Sequence, residues 1–244
     1  MQSLLVDLHV HTVLSPCAEI EMIPPLIVRR AQELGLDVIA ITDHNCAANA
    51  PAVIEAARGT GVAVLPGMEV QTREEVHMLC LFDVLEQANA LQDVVFSALP
   101  DLKNDERFFG AQYVVDATGD YLRTEERLLA TSTTLSVEQV VEQVSVLEGI
   151  CLPAHVDRPS YSLLSNLGFI PPELPIAGLE LSRLTIPAKF VELFPALAKY
   201  GMIISGDAHR LEEMIAHTRV HVAAPTVSEL RLALAGHEGR SIEV

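Results

Sequence analysis

His9 and His11 stand one residue apart in VDLHVHTVLSPCAEIEM, residues 6–22, directly behind a short apolar run. Histidines are poor strand punctuation and good metal ligands. Imidazole suits zinc, iron and manganese, and carboxylates suit harder ions and bridge two of them. The same residue types recur behind later apolar runs: His44 in AITDHN, Glu69 in VLPGMEV, His155 in CLPAHVDRPS, Asp207 and His209 in IISGDAHR. His77 opens its run instead, so it reaches the same place only from an antiparallel or short strand that starts near the site. Six histidines and two carboxylates are too many for one tetrahedral centre. They suit two or three divalent ions that share a carboxylate. Ions ~3.5–4 Å apart clamp a phosphoryl group and generate hydroxide near neutral pH. The chemistry indicated is metal-assisted hydrolysis. His217, His221 and His237 lie in the C-terminal region, on or near expected helices, and read as ordinary surface or core residues.

Such scattered ligands need elements that bring them together. Apolar runs of three to six residues, rich in β-branched types, recur at Leu4–Val6, Val38–Ile41, Val62–Leu65, Met78–Phe82, Ile150–Leu152, Ile176–Leu181, Met202–Ile204 and Val220–Ala223. They lack strict alternation, as strands buried on both faces do. Helical stretches fall between them. PPLIVRRAQELGL starts on prolines and ends on Gly35, SVEQVVEQVSVLEG opens with Ser136 and Gln139 in capping-box spacing, and TVSELRLALAG repeats that form. Strand–helix alternation predicts an α/β fold with a parallel sheet or barrel. In a parallel barrel the carboxyl ends of the strands open on one face, where loop residues converge. Residues 86–135 are polar and turn-rich, and read as an insertion, a helix and a small hairpin, within a single domain spanning 1–244.

Composition narrows the setting. Half of the 244 residues are apolar, enough for a full-sized core. No apolar stretch approaches the ~20 residues of a membrane span, and no basic, then apolar leader opens the chain. The scattered Cys17, Cys46, Cys80 and Cys151 suggest reduced thiols and a cytoplasmic home. A formal charge of −17 with only three lysines repels phosphate backbones, so stable nucleic-acid binding is not expected. Part of that acidity fits a cation site, where bound ions reverse the local sign.

DLHVHT, ITDHN, the strand-end Glu69, AH at 154–155 and GDAH at 206–209 together resemble the PHP (polymerase and histidinol phosphatase) superfamily, from residue 4 to about 210. The resemblance implies a distorted (β/α)7 TIM-like barrel with up to three metals at the carboxyl ends of its strands, and phosphoesterase activity. It implies one metal on His9, His11, Glu69 and Asp207. A second shares Glu69 and adds His77 and His155. A third takes His44, His209 and a ligand from the loop after the first strand. That loop departs from the family's histidine or aspartate: Cys17 holds the position and Glu19 follows two residues on. Cys17 would favour zinc or iron and Glu19 manganese or magnesium, and a third site without either also stands open. Arg158, Arg183 and Arg210 are candidate phosphate grips, and Asp43 a candidate orienter of a ligand. Glu69, Asp207 and Arg158 are the candidate catalytic residues. The expected substrate is a small phosphomonoester or nucleotide, with no membrane partner.

Two other readings share these features. Amidohydrolase-type barrels also open with an HxH pair, but commonly use a strand-borne bridging lysine. Lys103, Lys189 and Lys199 lie in the insertion and near a late helix. A non-catalytic, metal-bound regulatory module would use the same ligands without turnover.

Overall fold

The computed structural model describes residues 1–244. Its strands are β1 (Gln2–Val10), β2 (Val38–Ile41), β3 (Ala63–Gln71), β4 (His77–Leu81), β5 (Tyr113–Val115), β6 (Tyr121–Thr124), β7 (Ile150–Pro153), β8 (Leu179–Ser182), β9 (Met202–Ser205), β10 (Thr218–Val222) and β11 (Ser241–Glu243). Its helices are α1 (Pro24–Leu34), α2 (Ala50–Ala56), α3 (Leu85–Ala98), α4 (Glu106–Phe109), α5 (Val137–Val146), α6 (Leu163–Leu167), α7 (Pro187–Leu193) and α8 (Val227–Ala235). No helix is long and apolar enough to cross a membrane.

Seven strands form one curled, mixed sheet in the order β11-β10-β1-β2-β3-β4-β7, and the parallel pair β8–β9 stands in the gap between β7 and β1. Closure is incomplete and rests on a few main-chain bonds. Ala177 N–H donates to the Cys151 carbonyl at 3.1 Å, and His11 N–H donates to the Ala208 carbonyl at 3.0 Å. This is the distorted (β/α)7 barrel, with β10 and β11 added outside the ring. The sheet is not all parallel, as the alternation of strands and helices suggested. β4 runs antiparallel to both β3 and β7, and β10 antiparallel to β1. Residues 72–76 close a tight turn, with Thr72 N–H donating to the Val76 carbonyl at 2.9 Å. Five residues are too few for the crossover a parallel pair requires. The reversal brings His77 to the same end of the barrel as Glu69.

Period-2 alternation decides which side chains face inward. Met78 and Cys80 pack outward with α3 and α5, whereas Leu79 and Leu81 join Val38, Leu65 and Leu152 inside the ring above α8. By the same parity His77 and Glu69 face inward. In β8, Leu179 and Leu181 pack outward, so Glu180 faces in. Each fully buried leucine contributes about 1.5–3 kcal/mol. That burial holds the strand register from which the polar residues project. On the outside, Ile27, Val28 and Ala31 of α1 pack on Ile39 and Ile41 of β2.

Caps follow the sequence pattern. Ser136 and Gln139 exchange bonds at the start of α5, and Gly35 ends α1 with φ of 70°. At α8 only half of the expected box forms. Thr226 accepts from Glu229 N–H, but the Glu229 carboxylate turns to Arg240. The segment 86–135 contains most of α3, all of α4 and the β5–β6 hairpin. Its Tyr113 N–H donates to the Val13 carbonyl at 2.9 Å, which docks the hairpin on the loop after β1.

Candidate metal centre

Eight side chains meet at one end of the barrel. Glu69 is the hub. His77 Nδ1 lies 2.8 Å from its carboxylate, His44 Nδ1 3.0 Å, His155 Nε2 3.2 Å, His9 Nε2 3.4 Å and His11 Nε2 3.5 Å. Asp207 Oδ1 faces His11 Nε2 at 3.1 Å and His9 Nε2 at 3.3 Å. Three groups each bring their ligand atoms within 4.8 Å of one another: His9, His11, Glu69 and Asp207; His44, Glu69 and His77; and His11, His44 and His209. His44 serves two of them.

Tautomers can be read from the surrounding bonds. His9 Nδ1 lies 3.0 Å from both oxygens of Glu180, so it carries the proton and Nε2 is a bare lone pair. Ser15 Oγ gives its hydrogen to Asp43 and therefore accepts from His11 Nδ1 at 2.8 Å, which bares His11 Nε2 as well. The two Nε2 atoms then face each other at 3.1 Å, lone pair to lone pair, beside two carboxylates. Apposed lone pairs repel unless a metal ion or a proton lies between them. Glu69 Oε2, His77 Nε2 and His155 Nδ1 are buried polar atoms without a hydrogen-bond partner, which is costly without another ligand. The donor set fits one or more divalent metal ions.

The field agrees. Burial alone disfavours the His9 imidazolium, yet Glu180, Asp207 and Glu69 outweigh it and hold its pKa well above the ordinary histidine value. Burial likewise opposes the charge of Glu69, but His77, His9 and His44 keep its pKa well below the ordinary carboxylate value. For His11, burial and then the neighbouring His209 lower it well below 6.5.

The backbone supports the site at some cost. His155 and Asp207 adopt φ of 30° and 46°, and Asn45, beside His44, 51°. Left-handed conformations at non-glycine residues cost of order 1–3 kcal/mol and cluster at functional sites. Asp7 accepts from Gly206 N–H and Ile215 N–H, both at 2.9 Å, and so fixes the turn that presents Asp207. Gly206 suits that approach, because a Cβ there would sit 2.8 Å from the Asp7 carboxylate.

The candidates in the loop after β1 separate. Cys17 Sγ lies 3.3 Å from His44 Nε2. Burial alone would raise the thiol, but hydrogen bonds to His209 and His44 bring it down to about 6. The residue is exposed at the surface while its sulfur faces those rings. Glu19 stays outside, because its carboxylate pairs with Arg210 Nε at 2.6 Å. That pair also removes Arg210 from the site. Arg183 is committed to the Gly206 carbonyl and Glu213. Arg158 alone of the three arginines reaches the cluster, 2.5 Å from Asp207 Oδ2. Asp43 orients no ligand directly. It accepts from Thr12 N–H, Thr12 Oγ1 and Ser15 Oγ, each at 2.7 Å, and acts on His11 through Ser15. Sequence reasoning missed Glu180, Ser15 and Tyr161, whose ring stacks on His77 at 4.9 Å. Only Glu180 left a trace, a lone acid inside the apolar run GLELS.

Fold and site together define a distorted (β/α)7 barrel with a candidate metal centre at one end. The family model of the PHP domain matches residues 7–167, and the chain belongs to that family. A 5'-3' exoribonuclease, Rnm of Salmonella typhimurium, is 36% identical over 80 residues, 31% of this chain and 26% of the relative. Endonuclease Q of Pyrococcus furiosus, a lesion-specific endonuclease, shares the fold with a TM-score of 0.69 at 20% identity; the match covers 99% of this chain and 58% of that one. An endonuclease Q complex matches with a TM-score of 0.67 at 19% identity, over 98% of this chain and 58% of the other. The chain thus spans little more than half the length of these nucleases, and its match to Rnm covers about a quarter of that relative.

The expectation that net charge keeps nucleic acid away is overturned here. The second endonuclease Q structure holds a 27-mer duplex with an abasic lesion at the active site. Net charge is a sum over the whole surface, and it does not describe the field at one mouth of a barrel. There Arg158 faces Asp207, and divalent ions, where bound, would offset the carboxylates.

Proposed function

We propose that this chain hydrolyses phosphoester bonds of nucleotide-containing substrates with two or three zinc, manganese or iron ions. The observation that carries the reading is the convergence of the Nε2 atoms of His9 and His11 on the carboxylates of Glu69 and Asp207. The names of the relatives, an exoribonuclease and a lesion-specific endonuclease, support the substrate class. In this reading His9, His11, Glu69 and Asp207 hold one ion. Glu69, His77 and His155 hold a second, and His44, His209 and Cys17 a third. Bound ions would polarise the phosphoryl oxygens and acidify the attacking water.

The chain's own groups do the rest. Glu69 supplies the charge that lets cations sit close together. Glu180 and Ser15 keep the His9 and His11 lone pairs aimed inward. Arg158, charged at every working pH, grips a non-bridging phosphoryl oxygen from the Asp207 side. The site end of the barrel is largely buried, which strengthens each of these interactions. The thiols suit a reducing, cytoplasmic compartment.

Elemental analysis of protein prepared without chelator should find at least two equivalents of transition metal. Hydrolysis of p-nitrophenyl phosphate or its diester should vanish on chelation and return with added metal. Metal below one equivalent with no uptake on titration would refute the reading.

A further inference from the structure

A groove leads away from Arg158. Its inner part is a cavity of about 560 Å³ between the loop after β7, α6 and α7, walled by Arg158, Lys189 and Phe194. A second cavity of about 440 Å³ shares Leu193 and Phe194 with the first and continues to Lys199 and Tyr200. Neither holds a residue of the metal cluster.

Two features of this groove bear on what it binds. The first is charge. The chain carries 33 acidic residues against 16 lysines and arginines, and almost every cation is already engaged. All but four make ion pairs. Arg219 and Arg231 bond Ser3 and the Gly149 carbonyl instead. Lys189 and Lys199 remain, without an ion pair or a hydrogen bond, and both line the groove. The second is exposed apolar surface. Leu184 is 87% exposed, Leu193 75% and Phe194 40%. Large apolar side chains left in water beside a binding site mark a contact surface.

We infer that this groove binds a single-stranded stretch of oligonucleotide extending from the phosphate that is cut, an inference that rests on the phosphoesterase reading above. Unpaired bases offer flat faces to Phe194 and Leu193, and backbone phosphates reach Lys189 and Lys199. Stacking platforms interleaved with cations are how proteins hold single strands without reading sequence. A duplex hides its base faces and could use only the lysines. The acidic remainder of the surface repels a polyanion, so the groove is the favourable track toward Arg158.

The test is binding of a fluorescein-labelled, phosphorothioate single-stranded 12-mer to metal-loaded protein, followed by anisotropy over a range of salt. The parent should bind, and the double variant Lys189→Gln/Lys199→Gln should bind at least about tenfold more weakly. Its log–log salt dependence should be shallower by about 1.4, two contacts at ~0.7 per phosphate on a single strand. Phe194→Ala should weaken binding about fivefold or more with no change in salt slope, because stacking is not ionic. Unchanged affinity and slope in a double variant that keeps the parent's melting temperature and metal content would overturn the inference. So would a duplex of the same sequence binding as tightly as the single strand. A parent that binds the 12-mer but hydrolyses no phosphoester leaves the groove standing and refutes the hydrolase. A parent that hydrolyses p-nitrophenyl phosphate but ignores the 12-mer does the reverse.

Discussion

The two ends of the metal cluster are built differently. At the His9–His11 end each imidazole is braced from behind. Glu180 holds His9 with both oxygens, and the relay from Asp43 through Ser15 holds His11. Every group in that relay is buried. At the Cys17–His44–His209 end, His44 leans on a buried partner, its Nδ1 lying 3.0 Å from the Glu69 carboxylate. His209 Nδ1 leans on the carbonyl of Asp207, two residues back, and Cys17 rides on an exposed loop. Ligands that lean on buried partners have one orientation available. Ligands on a loop must be ordered by the ion itself, which costs conformational entropy at each binding event. One end is therefore preorganised, and the other adjustable, so an ion should bind more tightly at the first.

The sharpest way to break this contrast is at the hub both ends share. Glu69→Gln should lose two ions together, and its turnover should fall by more than the ~10- to 100-fold typical of a disturbed outer partner. Elemental analysis alongside rate measurements decides it. Full metal content with full activity would mean that the carboxylate does not bridge.

Next comes the braced end. Glu180→Gln keeps the shape and removes the charge behind His9, so metal affinity there should drop ~10- to 100-fold. Competition with a chelating dye should find one weakened class of ion, with turnover restored by excess metal. Equal weakening of every ion would erase the difference between the two ends.

The adjustable end should respond least. Cys17→Ser should lower turnover by roughly tenfold at most, the low end of the range for a disturbed ligand shell, and should leave the braced end filled. The thiol itself gives a pH readout. Its pKa of about 6 means thiolate above that pH and thiol below it. Iodoacetamide labelling of metal-free protein should rise with a midpoint near pH 6, against ~8.5 for a free cysteine. Added metal should slow labelling at pH 7. A midpoint near 8.5 would mean that His44 and His209 do not stabilise the sulfur.

The clustered residues were legible because their types are rare at strand ends and recur behind apolar runs. His9, His11, His44, His155, Asp207 and His209 follow apolar runs that become barrel strands. His77 was legible only conditionally, since its place depends on the direction of β4, and that direction follows from a five-residue turn and not from the strand's own residues. The braces were hidden for a different reason. Ser15 and Tyr161 are common loop residues, and their roles arise from tertiary contacts that no local pattern encodes. Glu19 shows the converse, since its spacing suited a ligand but Arg210, 191 positions away, claims its carboxylate. The charge argument against nucleic acid failed because a net charge sums over the whole surface and says nothing of one site.

The bond between His11 and Ala208 has a consequence for folding. It joins the first strand to a turn 197 residues later, and Asp207 stands beside that joint. Glu69 and His77 meet early, across one short hairpin, but Asp207 reaches His9 and His11 only when nearly the whole chain has come round. Closing so long a loop is slow and entropically unfavourable. An ion held by His9, His11 and Asp207 acts as a staple between distant parts of the chain, and at a hundred times its dissociation constant it adds about 2.7 kcal/mol to the closed ring. Depleting metal would then loosen the barrel at the β9–β1 seam.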